Sequence, residues 1–312
     1  MLSRREAIAL GVGTMTALAA TKDTLPDICI FSKHLQWLDI ADAAAVAAEA
    51  GFDGVDITVR DGGHVPPERA AGDLPKAVES VRKAGLRVPM ITAGIVNAGS
   101  PHAEDILRTA AALGIHHYRW GGFSLDPMRP IPRQLTDLEP QVRDLAALNR
   151  HYGLTAMYHT HSGAHLLGAS IWDLYLLLRS FDPASVSVNF DVAHATVEGG
   201  LGGWMNSAGL TAPMMRGVAL KDFYWQKKKN GEWEPRWCPI GQGMVKFTRF
   251  FEMLRTFRFS GPIQLHFEYP EMGGADEGKR AIALSRKAFI ELARRDLDAV
   301  RGYMRAAKFG VA

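Results

Sequence analysis

Compact apolar runs alternate with longer amphipathic segments along almost the whole chain. The runs at 27–31, 54–59, 86–92, 115–120, 154–159, 186–191, 215–221 and 262–268 read as buried strands. Between them, apolar positions recur every three or four residues. That period predicts helices over 38–50, 74–84, 103–113, 135–152, 171–180, 246–257 and 279–307. Gly51, Gly85 and Gly114 each follow the last periodic residue of a helix. Glycine has no Cβ to clash in the left-handed conformation that closes a helix, so these residues mark ends for a physical reason. The Gly- and Met-rich stretch between the sixth and seventh strands lacks the period and reads as irregular.

Eight strand–helix units predict an α/β fold, a single (β/α)8 TIM barrel over 27–312. An open, doubly wound sheet is the competing arrangement. It would carry a Gly-rich turn after the first strand, where Ser32-Lys33-His34 stands instead. No Pro-rich or low-complexity linker divides the chain, so one domain is expected.

Strand side chains alternate between two faces, so parity tests whether the polar groups converge. Gln264, His266 and Glu268 share one face of the eighth strand, and Ile263, Leu265 and Phe267 share the other. Asn189 and Asp191 lie together in the sixth, and Gly217, Ala219 and Lys221 in the seventh. His159 and His161 share a parity at the end of the fifth, as do Asp56, Thr58 and Arg60 in the second. The apolar sets belong against the outer helices, which leaves the polar sets for the barrel mouth. Ionisable groups gathered there require pairing, protonation or a metal. Asp191, Glu268, His159 and His194 have the chemistry to hold Mn²⁺, Zn²⁺, Co²⁺ or Mg²⁺. The alternative is a set of hydrogen-bonded wall histidines, with the carboxylates bridged to Lys221 or Arg119.

Composition narrows the partners. Lys and Arg number 36 against 33 Asp and Glu, a net charge of +3 that is too weak a bias for a nucleic-acid binder. Hydrophobic residues at 47% and charged residues at 22% suit a folded globular chain. The two cysteines, Cys29 and Cys238, exclude a disulfide scaffold and allow at most one bridge. After residue 20 no stretch reaches the roughly 18 consecutive apolar residues of a membrane span. The start of the chain differs. Ser3-Arg4-Arg5 precedes an uncharged, Ala- and Leu-rich stretch at 7–20, the pattern of a twin-arginine export signal over 1–20. It predicts a periplasmic protein, with a cytoplasmic one as the alternative. No GxxxxGK[ST] phosphate loop is present, and Gly241-Gln242-Gly243 alone is a weak signal.

Six stretches, taken in order, carry a family resemblance. They are Ala48-Glu49-Ala50-Gly51-Phe52-Asp53-Gly54-Val55-Asp56, Tyr158-His159-Thr160-His161, Phe190-Asp191-Val192-Ala193-His194, Ala219-Leu220-Lys221-Asp222, Pro239-Ile240-Gly241-Gln242-Gly243 and His266-Phe267-Glu268-Tyr269-Pro270. In these the chain resembles the xylose-isomerase-like barrel superfamily of sugar isomerases, sugar epimerases, inosose dehydratases and apurinic endonucleases. The resemblance covers nearly all of the chain beyond residue 20. It implies a divalent metal held by Glu, Asp, His and Glu at four strand ends. Asp191 and Glu268 match two of these. His159 stands in place of the first Glu, as in a His-x-His subgroup, and Ala219 stands in place of the ligand His of a His-Leu-Lys-Asp motif. Alanine cannot ligate, so His194, His266 or a water would complete the shell, or the site would hold no metal.

The resemblance also implies a reaction. A carboxylate removes a proton next to a sugar carbonyl, and a metal and nearby donors stabilise the enediolate. Glu268 is the expected base and Lys221 the oxyanion stabiliser. His159 is the expected second proton-transfer group, since imidazole titrates near neutrality. Arg119, His161, His266 and Trp225 are expected on the substrate, an unphosphorylated sugar or glycoside, and the oligomeric state is left open. The segment from Phe223 to Trp237 holds Trp225, Trp233 and Trp237 with Lys227, Lys228 and Lys229. It reads either as a sugar-facing lid or as a solvated charged hairpin. A lyase acting on a keto-glycoside and a non-catalytic sugar-binding barrel are the competing functions. The nuclease branch is rejected, because Thr58-Val59-Arg60, Ile91-Thr92-Ala93 and Ala219-Leu220-Lys221 lack its extra histidines.

Overall fold

The computed structural model describes residues 25–310, and the export signal read over 1–20 lies outside them. Strands β1 (Ile28–Phe31), β2 (Gly54–Val59), β3 (Ile91–Ala93), β4 (His117–Trp120), β5 (Thr155–His159), β6 (Val186–Asp191) and β7 (Met215–Leu220) form the wall in chain order. Strands β8 (Asp222–Lys227) and β9 (Trp233–Cys238) make an antiparallel hairpin outside it. Strand β10 (Ile263–Leu265) pairs in parallel with both β7 and β1 and closes the barrel, so the predicted eight-stranded architecture forms. The helices are α1 (Ile40–Ala50), α2 (Ala70–Lys83), α3 (Ala103–Ala112), α4 (Ile131–Tyr152), α5 (Trp172–Leu178), α6 (Val192–Gly199), α7 (Gly203–Thr211), α8 (Phe247–Thr256) and α9 (Arg286–Ala306). None of them is long and apolar enough to cross a membrane.

Local chemistry accounts for the elements. Helix α1 starts where the Asp39 carboxylate accepts from the Asp42 amide at 2.9 Å. It stops at Gly51, whose φ of 96° is left-handed. The stretch between β6 and β7 departs from the expectation of irregular structure, since it forms α6 and α7. Asp191 caps α6 by accepting from the amides of Ala193 and His194, and Trp204 and Ala208 of α7 are buried. Glycines at both helix ends dilute the apolar period there, and capping and burial override their poor propensity. The last helix begins at Arg286, capped by Ser285, rather than at Lys279.

The barrel interior is layered. Cys29, Met90 and Met157 form a small apolar floor. Gly217 leaves room for it, because a Cβ there would sit 2.8 Å from Met157 Sδ. Asp56, Thr92, Asn189 and Gln264 form a polar layer in which the Gln264 amide bridges Asn189 and Asp56, and Thr92 donates to Asp56 at 2.7 Å. Burial pushes the Asp56 carboxyl up to about 7 despite these donors. Cys29 and Cys238 are both free, so the one bridge that composition allowed does not form.

His34, after β1, clamps the exit of β10. Its Nε2 accepts from the Phe267 amide at 3.1 Å, and its Nδ1 lies 3.0 Å from the Ala275 carbonyl. An amide can only donate, so Nε2 carries the lone pair and Nδ1–H donates: the ring is neutral. Burial, with the charge of Lys33 adding to it, pushes this imidazole down to about 3. A histidine depressed in the fold contributes stability above its unfolded value near 6.5 and loses it as the pH falls towards the folded value. Wild type is therefore expected to exceed His34→Gln in stability at pH 7. The gap should shrink by about 1.4 kcal/mol per pH unit below about 6.5. Urea unfolding of both proteins at pH 7, 6 and 5 checks this, and a constant gap would refute it.

Candidate active site

At the mouth, β5, β6, β7 and β10 bring together the groups that parity placed on one face. Lys221, just past β7, is only 3% exposed. Its Nζ lies 2.6 Å from Glu268 Oε2, 2.7 Å from His194 Nε2 and 3.5 Å from Asp191 Oδ2. The indole of Trp237 roofs the ammonium at 4.3 Å and meets the His194 ring edge-on at 5.1 Å. Glu268 stands on the open side of this cluster, with 23% of its side chain exposed and Lys33 Nζ 3.9 Å from Oε1. Burial pushes the Glu268 carboxyl up, but the charges around it, that of Lys221 foremost, outweigh burial and hold it well below the usual carboxylate range.

The imidazoles are neutral. Burial, reinforced by Arg119 or Lys221, pushes His159, His194 and His266 well below the usual histidine range, and His161 to about 3. Neutral imidazole offers a lone pair but not an acidic proton near pH 7. This revises the expectation that His159 titrates near neutrality.

Hydrogen bonds decide which lone pairs are free. An ammonium has no acceptor, so His194 Nε2 accepts from Lys221, and its Nδ1–H donates to Ser162 Oγ at 2.8 Å. His161 Nε2 accepts from Arg119 at 3.1 Å. By contrast Asp191 Oδ2, His159 Nδ1 and both His266 nitrogens are buried without a hydrogen bond, although Lys221 Nζ lies 3.5 Å from that carboxylate oxygen. Asp191 is held at the mouth by its other oxygen, which caps α6.

Among the described residues, two groups of three bring potential ligand atoms within 4.8 Å of one another: His159–His161–His194 and His159–Asp191–His266. In the first, Arg119 and Lys221 already use lone pairs of His161 and His194. The second holds the orphaned atoms, a carboxylate oxygen and two neutral imidazoles, and this donor set fits a divalent cation. Of the expected ligands, His159 and Asp191 fall in the second group, beside His266; His194 falls in the first, and Glu268 in neither. Ala219, where the resemblance implies a ligand His, pairs in register with Asp191 and Gln264, and Lys221 two residues on shares its face.

Arg119 reaches the mouth. Trp225 does not meet this cluster: it is 38% exposed and packs edge-on against Phe223. Within the same hairpin it is Trp237 that covers the site. Lys33 is an addition, and Arg60 gains a place that parity alone had only pointed toward the mouth. Arg60 directly follows β2 and Lys33 lies two residues past β1, at positions where barrels keep functional side chains, and that is the signal by which the sequence could have yielded them.

The profile of the family described as xylose isomerase-like TIM barrel matches residues 44–290. No curated protein matches the chain by sequence. Among solved structures, a xylose isomerase-like TIM barrel protein from Mycobacterium smegmatis in complex with magnesium is similar, with a TM-score of 0.65 and 13% identity over 92% of this chain and 99% of that one. 3-Keto-D-glucoside 4-epimerase from E. coli gives a TM-score of 0.62 and 16% identity over 89% of this chain and 99% of that one. D-Allulose 3-epimerase from Methylomonas sp., in complex with D-allulose, gives 0.62 and 16% over 89% and 98%. At such identities the likeness shows the fold.

Proposed function

The chain belongs to the xylose isomerase-like TIM-barrel family, and from that premise we propose that it is a sugar isomerase or epimerase. The reaction is proton abstraction next to a carbonyl. The observation that carries the reading is the contact between an ionised carboxylate on the open side, Glu268, and a buried ammonium, Lys221. An enolisation needs a base at the carbon and a cation at the oxygen, and here the two are neighbours. A sugar carbonyl entering the mouth draws Lys221 from Glu268. The freed carboxylate takes the proton from the adjacent carbon. Return of the proton to the other face of that carbon gives an epimer, and return to the neighbouring carbon gives an isomer. Two of the similar structures are sugar epimerases by name, which supports the substrate class.

His159, Asp191 and His266 are the residues that would hold a divalent cation. When bound, such a cation supplies Lewis-acid stabilisation of an enediolate oxygen. Metal content is expected to be about one ion per chain in wild type and in Glu268→Gln, and to be lost in Asp191→Ala and His266→Ala. Elemental analysis of the four purified proteins after loading with Mn²⁺, Zn²⁺, Co²⁺ or Mg²⁺ checks this. Equal content in all four, or none in wild type, removes the assignment.

The reaction itself is tested in D₂O with D-allulose and with a 3-keto-glucoside, followed by NMR. Deuterium at the carbon next to the carbonyl, together with a new epimer or ketose, is the expected result. A released aglycone would move the reading to elimination, and no exchange with either sugar would end it. Export through residues 1–20 belongs to the same proposal, and these residues should carry a folded reporter to the periplasm.

A further inference from the structure

Beside the Glu268–Lys221 cluster lies a cavity of about 340 Å³, within the range of small-molecule sites. Its lining includes Arg60, Arg119, His159 and His161, so it is continuous with the mouth just described. Two guanidinium groups face this one space. Arg60 directly follows β2 and Arg119 lies in β4, and each carries its guanidinium carbon 5.4 Å from the centroid of the Phe31 ring.

Neither is in a contact ion pair. Among the described residues no carboxylate comes within 4.0 Å of Arg60 or Arg119. Arg60 makes no side-chain hydrogen bond there, and Arg119 makes one, to the neutral His161. The nearest acid along β2, Asp56, spends its Oδ2 on Thr92 and Gln264 in the layer below. The acids of the mouth are taken as well: Glu268 by Lys221 and Lys33, and Asp191 by its cap and the cluster around it.

Guanidinium stays charged at any ordinary pH, so the two arginines cannot relieve their repulsion by losing a proton. Burial is the main cost for both, Arg60 adds to it at Arg119, and the charge of Asp56 in the layer below offsets part of it. Phe31 compensates in part through its ring face. A compact anion in the cavity would compensate in full, because planar forks of N–H donors match an oxyanion with paired hydrogen bonds.

We propose that the substrate is a sugar acid, whose carboxylate is bound by Arg60 and Arg119 while its carbonyl end lies at Lys221 and Glu268. This rests on the isomerase reading for the carbonyl end only, since the anion pocket stands on its own geometry. Two arginines on the β2–β4 side and the base on the β10 side give the ligand one direction in the mouth. A phosphate monoester would present a similar oxyanion, and the test separates the two.

The test is calorimetric titration of the full chain with D-glucuronate and D-galacturonate, against D-glucose, D-galactose and D-glucose 6-phosphate. At least one uronate is expected to bind about tenfold or more tighter than its neutral parent. Arg60→Gln should erase that preference, and Arg60→Lys should restore part of it. A uronate preference that persists in Arg60→Gln, or no preference in wild type, overturns the proposal. Tighter binding of glucose 6-phosphate than of either uronate overturns the carboxylate assignment. Deuterium exchange on neutral ketoses without any uronate preference sinks this proposal and leaves the isomerase reading. A uronate preference with no exchange on any sugar does the reverse.

Discussion

Glu268→Gln is expected to slow solvent-proton exchange next to the sugar carbonyl by about 10²–10⁴, the usual contribution of a positioned general base. Glutamine keeps the volume of the side chain, and its carbonyl oxygen still accepts from Lys221. What it loses is the negative charge and the ability to take a proton. The loss should therefore fall on kcat, with KM changed little. Lys221 keeps Asp191 Oδ2 at 3.5 Å as a charge partner, so the variant should stay folded. The pH profile adds a second reading. In the free protein Glu268 is held well below the ordinary carboxylate range, so its protonation should put no acidic limb on kcat/KM within that range. Exchange measured by NMR in wild type and variant at matched stability decides the matter. A variant within a few-fold of wild type would remove Glu268 from the role of base.

Asp222→Ala is expected to cost about 3–5 kcal/mol of stability, through a mechanism outside the proposed chemistry. Asp222 directly follows Lys221 and is 1% exposed. Its Oδ1 accepts from the amides of Phe223 at 2.9 Å and Val245 at 3.1 Å, and its Oδ2 from those of Gly241 at 2.9 Å and Gly243 at 3.0 Å. One carboxylate thus satisfies four backbone donors and folds the loop from Pro239 to Val245 around itself. Gly241 takes a left-handed φ of 85°, and at Gly243 a Cβ would collide with the carboxylate itself. Each buried donor left without an acceptor costs about 1–3 kcal/mol, less where water reaches it. Asp222→Asn should cost roughly half as much, because its oxygen still accepts while its NH₂ faces two amides. Urea unfolding measures both. A loss under about 1 kcal/mol for Asp222→Ala would show that the loop has other support.

Arg60 and Trp225 show how far residue order carries. Parity placed Asp56, Thr58 and Arg60 on the inner face of β2, and the structure has Asp56 in the polar layer and Arg60 on the cavity above it. Order alone gave no reason to single out Arg60, because its importance lies in having no partner. Trp225 was read as substrate-facing from its residue type. Trp225 and Trp237 share one face of the hairpin, but Trp237 pairs with Phe223 at the end next to Lys221 and Trp225 lies two residues further out, so it is Trp237 that meets the ammonium. The ligand set shows the same limit. Asp191, His159, His194, His266 and Glu268 are all histidines and carboxylates at strand ends or within three residues of one, and as a list they are equivalent. Hydrogen bonds to Lys221, Ser162 and Arg119 divide them into committed and free lone pairs.

Local properties of the chain were enough for the alternation of strands and helices, the glycine stops, and the sorting of apolar residues outward and polar residues inward. Each depends on neighbours a few positions apart, where helical and strand periods act. Barrel closure then set which strand ends lie side by side, which carboxylates meet Lys221, which imidazole nitrogens are left without a hydrogen bond, and which two arginines share one cavity. Those outcomes depend on distances between residues dozens to hundreds of positions apart. Such distances follow from strand stagger and side-chain packing, and neither is written in any single stretch of sequence.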